Sequence, residues 1–225
     1  MKNIEIEYKV MVDKQDFIKL EEFLDNHYKY KTYIQTNYYY DTDNLDVKNN
    51  GLSLRIRHIE NDNKYISTLK EKQNDAWIEY EDVINCNDIN VLNDELKGLL
   101  KQKGINIKSI KHIAYLKTIR KEYEYHDSLL CLDYNIYYNK EDYEIECECD
   151  NMKKAKTLVV ALLNKHNISY HESKYSKVAR AIKNRIDWFC FFLYTEGTSS
   201  SLFFPKKKTA TRPGPVWAPM IGPIK

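Results

Sequence analysis

Charged residues recur at alternate positions along this chain, and their signs are sorted. Glu5, Glu7 and Lys9 stand two apart, as do Ser53, Arg55 and Arg57, then Lys70 and Lys72. The same spacing holds for Glu79 and Glu81 (after Trp77), for Thr118, Arg120 and Glu122, and for Glu144, Glu146 and Glu148. On a β-strand, residues at i, i+2 and i+4 share a face, so each set is a stripe. Three glutamates in one stripe repel one another unless a cation sits among them. Arg-x-Arg repels itself unless an anion is held there. A ligand that satisfies both must be polyanionic and must also carry a divalent metal. A metal–polyphosphate complex does so. Arginine forks match phosphate oxygens, lysines supply point charges, and Mg²⁺ bridges carboxylates to phosphates. One stripe alone is also what an ordinary solvated sheet face looks like. The sorting of signs across several strands is what argues for a ligand.

The elements that position these stripes are mostly strands. Residues 3–11 alternate, with Ile4, Ile6, Tyr8 and Val10 opposite the charges. Further strands are predicted at 33–41, 52–59, 64–70, 76–84, 115–126, 128–137 and 142–149, eight in all. Asp13 is placed to cap a helix carrying Phe17, Leu20, Leu24 and Tyr28. Residues 88–104 read as a helix ending at Gly104, 151–168 as another, and about 174–186 as a last one. Turns rather than crossover helices join most strands, which favours antiparallel pairing. The apolar residues behind each stripe need cover, which the helices supply. The expectation is an α+β fold: a closed eight-stranded antiparallel β-barrel with helices packed outside and a charged interior.

Composition sets the limits. With 225 residues and 43% hydrophobic content, one domain with a real core is expected. A net charge of +2 gives no bulk electrostatic case for nucleic acid or a membrane surface. No apolar run is long enough for a span, and the N-terminus lacks the pattern of a secretory signal. The five cysteines (Cys86, Cys131, Cys147, Cys149 and Cys190) form no CxxC pair and read as core thiols in a reducing cytoplasm. None of the six histidines shows ligand spacing, and neither a Gly-rich phosphate loop nor a Gly-x-Ser-x-Gly elbow is present. Residues 1–188 contain no proline, while all five prolines lie between Pro205 and Pro223, beside a serine cluster and a Lys206–Lys208 run. The chain therefore divides into a domain at 1–188 and a tail at 189–225 that reads as disordered or non-native.

The ordered set of motifs resembles one family. Glu5-x-Glu7-x-Lys9 resembles the ExExK signature of the CYTH, or triphosphate tunnel metalloenzyme, superfamily. Tyr39-Tyr40-Asp41-Thr42, Leu54-Arg55-Ile56-Arg57, Thr68-Leu69-Lys70, Arg120, Leu132-Asp133, Tyr143 to Glu148 and Ser173-Lys174-Tyr175 follow in order. The likeness covers residues 5 to about 185 and is greatest to the inorganic-triphosphatase branch; nothing in it accounts for the tail. It implies an eight-stranded tunnel, dependence on Mg²⁺ or Mn²⁺, and hydrolysis of a small-molecule linear triphosphate, tripolyphosphate being favoured over a nucleoside triphosphate. By this resemblance Lys9, Arg55, Arg57, Lys70, Arg120 and Lys174 bind phosphates. Glu5, Glu7, Asp133, Glu146 and Glu148 hold metal, and Lys9, Glu144, Glu146 and Glu148 serve catalysis. Glu79 and Glu81 rank second, while Lys72 and Lys121 have no counterpart.

Two routes to the nucleophile stay open. A glutamate can activate water through a metal, or Lys9 can act as a base if neighbouring cations depress its pKa. Other activities on the same scaffold are also open: a class IV adenylyl cyclase, a thiamine triphosphatase or an RNA 5′-triphosphatase. A non-catalytic polyphosphate- or nucleotide-binding module would use the same basic residues, but the acidic stripe then has no purpose.

Overall fold

The computed structural model describes residues 2–73 and 76–185. Ten strands form one antiparallel sheet: β1 (Lys2–Glu5), β2 (Glu7–Val12), β3 (Tyr30–Asp41), β4 (Leu52–Ile59), β5 (Lys64–Gln73), β6 (Ala76–Ile84), β7 (Lys111–Tyr125), β8 (Ser128–Tyr137), β9 (Lys140–Glu148) and β10 (Tyr170–Glu172). Their order is β1-β6-β5-β4-β3-β7-β8-β9-β2-β10. The sequence predicts eight strands. The count rises because the first is interrupted at Ile6 and because the short β10 adds to β2. Hydrogen bonds do not close this order into a ring. The chain nonetheless joins its far ends, since β1 pairs with β6 and β2 with β9 while only Ile6 separates them.

Alternation gives the sheet one apolar and one charged face. Helix α1 (Lys14–His27) starts at Asp13, whose side chain accepts from the Asp16 amide, and buries Phe17, Leu20 and Leu24. With α4 (Met152–Lys165), capped by Asn151, it covers Tyr8, Val10, Leu130, Leu132, Ile145 and Cys147. Helix α3 (Asp94–Gln102) covers Leu52, Leu54, Ile56, Leu69, Ile78 and Tyr80 on the other half. The sequence extends this helix over 88–104, but Leu92 and Asn93 break it from a short 3₁₀ turn, and Gly104 ends the segment with φ +73°. The one-turn α2 (Asp46–Asn49) sits between β3 and β4, where Asp41 accepts from the amides of Thr42, Val47 and Lys48. Ile4 departs from the sequence reading. It lies on the apolar face, but no helix reaches β1, and it stays 70% exposed.

A last helix, α5, runs over residues 177–185. It differs from the others in lying on the charged face. Val178, Ala181 and Ile182 pack there on Tyr39, Ala114 and Leu116. No described helix is long and apolar enough to cross a membrane. The predicted tail at 189–225, Trp188 and Cys190 fall outside the described residues.

Candidate active site

The charged face lines a cavity of about 920 Å³. Glu5, Glu7, Lys9, Arg55, Arg57, Lys70, Arg120, Glu146 and Glu148 all reach it. Antiparallel register accounts for their meeting: Glu7 lies opposite Glu148, Lys9 opposite Glu146, Lys70 opposite Glu79, and Asp133 between Arg120 and Glu144.

The carboxylates fall into two trios. Within each, one oxygen per residue lies within 4.8 Å of the others. Glu5, Glu7 and Glu148 form the first, on the cavity wall. Lys70 reaches Glu5 at 2.5 Å and also pairs with Glu79, while Lys9 pairs with Glu7. Arg120 stands 3.9 Å from Glu148. Burial raises the Glu148 carboxyl; Arg120 opposes this, Glu146, Glu5 and Glu7 add to it, and the group is pushed up to about 7. An all-oxygen trio of converging carboxylates fits a hard divalent ion such as Mg²⁺ or Mn²⁺.

Asp133, Glu144 and Glu146 form the second trio, the first two fully buried beneath the cavity and Glu146 at its floor. Arg120 donates through Nε and Nη2 to the two Asp133 oxygens, both at 2.7 Å, and also bonds Glu146. Lys177 Nζ lies 2.6 Å from Asp133, 2.6 Å from Glu146 and 3.3 Å from Glu144. Arg180 bonds Glu144 at 2.6 Å, pairs with Asp142 at 2.9 Å, and donates to Ser173 Oγ and the Tyr175 carbonyl. Burial works against the ionised form of Glu146, but Lys177, Lys9 and Arg120 outweigh it and hold the group well below the usual carboxylate range.

The arginines on β4 are less well matched. Arg57 is half-buried on the cavity wall, and its Nε donates to Asn37 at 2.9 Å. Among the described residues no carboxylate stands within ion-pairing distance of it. Desolvation, then Arg55 and Arg120, lower its pKa to about 10. Among the described residues Arg55 has one carboxylate within ion-pairing distance, Glu81 at 3.9 Å, and its Nε has no hydrogen-bond partner.

Two sequence expectations change here. Lys174 is exposed and lines no part of the cavity, whereas Lys177, three residues on, does line it. Lys174 lies in the bend before α5, and Lys177 is the first residue of the helix that docks on the charged face. Lys9 is not depressed by neighbouring cations. Burial lowers its pKa, but Glu146 and Glu7 outweigh that and raise it, so it stays an ammonium. Glu144 and Asp133 lie under the floor instead of facing the cavity. Lys121 pairs with Asp25 and Glu21, away from the site. Lys177 and Arg180 were missed by the sequence reading, although their i,i+3 spacing on a predicted helix was visible.

The fold is α+β, and the charged face of its antiparallel sheet brings carboxylates and arginines around one cavity. The chain matches the CYTH domain family over residues 3–182 and belongs to it. A Bacillus subtilis (strain 168) protein named "Putative triphosphatase YjbK" is 34% identical over 181 residues, which are 79% of this chain and 93% of that one. A crystal structure described as a putative adenylate cyclase from Bacillus halodurans superposes with TM-score 0.69 at 30% identity, covering 80% of this chain and 97% of that one. A Hippeastrum protein, described as a putative adenylyl cyclase with a dominant triphosphatase activity, has the same fold: TM-score 0.67, 23% identity, 80% and 94% coverage.

Proposed function

We propose that this chain is a divalent-metal-dependent hydrolase of linear triphosphates in the cytoplasm, with inorganic tripolyphosphate the favoured substrate and orthophosphate released. The observation that carries the reading is Arg57, a half-buried cation on the cavity wall with no described carboxylate within ion-pairing distance, beside an under-bonded Arg55 and sharing the cavity with three converging carboxylates. Guanidiniums left without a carboxylate partner in a cavity are suited to phosphate oxygens. CYTH membership and the triphosphatase name of the Bacillus subtilis relative support it.

Arg55 and Arg57 grip one end of the triphosphate, and Lys70 and Lys9 neutralise further oxygens. The 1–188 domain supplies every residue needed. Glu5, Glu7 and Glu148 hold the metal. When bound, the metal offsets phosphate charge and lowers the pKa of a coordinated water. Glu146 keeps Lys9 oriented and charged. Lys9 therefore acts as a phosphate ligand, leaving activation of water to the carboxylate side of the cavity. Positioning and charge neutralisation are most of what phosphoryl transfer requires.

A nucleotide substrate is the second reading, because Trp77 and Tyr39 also line the cavity and offer surfaces for a base. The deciding experiment measures phosphate release from tripolyphosphate and from ATP, with Mg²⁺ or Mn²⁺ and again with EDTA, for wild type and Glu5→Gln. Release strongest on tripolyphosphate, abolished by EDTA and by the variant, is expected. Cyclic AMP formed from ATP without phosphate release would replace hydrolysis with cyclisation.

A further inference from the structure

Both carboxylate trios have the convergence of a cation site, yet they are neutralised differently. In the Asp133, Glu144 and Glu146 trio, three carboxylates meet Arg120, Lys177 and Arg180 at close range, with Lys9 3.6 Å from Glu146. Only Lys177 touches all three acids. Its Nζ occupies the point at which a metal would sit, at 2.6, 2.6 and 3.3 Å from their oxygens. The guanidiniums bond from the sides, Arg120 to Asp133 and Glu146, Arg180 to Glu144. Around Glu5, Glu7 and Glu148 no cation takes such a central place. Lys70 is shared with Glu79, and Lys9 with Glu146.

We infer that Lys177 stands in for a second divalent cation, so that this chain binds one metal ion, at Glu5, Glu7 and Glu148, and supplies the other positive centre itself. The inference rests on the metal site assigned under Proposed function. It makes Glu146 a partner of Lys177 instead of a metal ligand, and Lys177 a positioning residue acting through Glu146. It also makes the positive centre part of α5. Arg180 fixes that helix to β9 through Glu144 and Asp142, and fixes the preceding turn through Ser173 and Tyr175. The centre is in place only when the helix is docked.

The test counts Mn²⁺ ions per chain from the electron paramagnetic resonance signal of free Mn²⁺, with no phosphate present. Wild type binds one ion. Lys177→Met leaves three carboxylates around an open point, with the two guanidiniums at their sides and Lys9 shared with Glu7, and should gain a second ion while the first binds as before. Lys177→Arg retains the charge and should return the count to one. With tripolyphosphate added, kcat of the Met variant falls about tenfold or more and KM moves less, since the lost interaction acts through Glu146. Two ions on the wild type overturn the inference. One ion on both wild type and Lys177→Met also overturns it, while leaving the Glu5, Glu7 and Glu148 site intact. No ion on either removes that site and the inference with it. If the Met variant does not fold, as judged by circular dichroism, Lys177→Gln is read by the same counts.

Discussion

Arg120 and Asp133 form a buried, bidentate pair, with both nitrogen–oxygen distances at 2.7 Å. Asp133 is fully inaccessible, and its remaining contact is with Lys177. Asp133→Asn removes the charge from a place where two cations depend on it. Breaking such a pair costs about 3–5 kcal/mol, because the cations stay buried without compensation. Urea denaturation should show the variant less stable by that order, with the slope of the transition unchanged.

Arg57→Met should behave in the opposite way. Its half-buried guanidinium is repelled by Arg55 and Arg120, and its one described hydrogen bond is to Asn37. Relief of repulsion offsets the lost bond, so the thermal midpoint of the ligand-free protein should hold. Activity should not: kcat/KM for tripolyphosphate should fall about tenfold to a hundredfold, the range for a lost hydrogen bond to a charged group. A variant that loses stability but keeps kcat/KM would return Arg57 to a structural role.

Metal affinity should depend on pH around neutrality. The Glu148 carboxyl is pushed up to about 7, and a metal binds its ionised form. Below pH 7 a proton competes, so Mn²⁺ affinity should fall about tenfold per pH unit. Stability has the reverse sign. A raised carboxyl contributes stability that is complete below its ordinary value of about 4.3 and is lost as pH rises through 7. Metal-free Glu148→Gln should therefore melt above wild type at pH 8, with the gap closing towards pH 5. Mn²⁺ titrations and melting curves at pH 5, 6, 7 and 8 check both statements.

Lys9 should tolerate arginine. Glu146 and Glu7 keep it charged, so its task is to hold an anion. Lys9→Arg retains that task and should keep turnover within about tenfold of wild type, whereas Lys9→Met should lose more. If Lys9 were the proton acceptor, the arginine variant would be as inactive as the methionine one. Steady-state rates on tripolyphosphate separate the two.

Much of the site was legible because strand alternation is a local property. Arg55 and Arg57 face the cavity because Leu54 and Ile56 must face α3, and Glu146 does so because Ile145 and Cys147 must face α1 and α4. What alternation does not carry is depth. Glu144, Glu146 and Glu148 share one stripe, yet the first lies under the floor, the second at it and the third on the wall. Their depths follow from cross-strand partners and from α5. The start of the last helix was also hidden. The sequence begins it at about 174, but Lys174 falls in a bend and the helix begins at 177, where docking of Val178, Ala181 and Ile182 on Tyr39 and Leu116 brings Lys177 to the cavity. Ile4 shows the limit from the other side, since an apolar residue in correct alternation stays exposed where no helix arrives to cover it.

The break at Ile6 has a consequence for how the molecule is made. Residues on either side of it pair with strands far along the chain, Ile4 with Ile78 and Lys9 with Glu146. The segment that carries Glu5, Glu7 and Lys9 thus finds its partners only across long stretches of chain. Loops of that length are slow to close, and long-range pairing of this kind lowers folding rates. Until β9 is in place, β2 lacks its main partner. The pairing that joins Glu7 to Glu148 and Lys9 to Glu146 is therefore among the slower contacts of the fold to form.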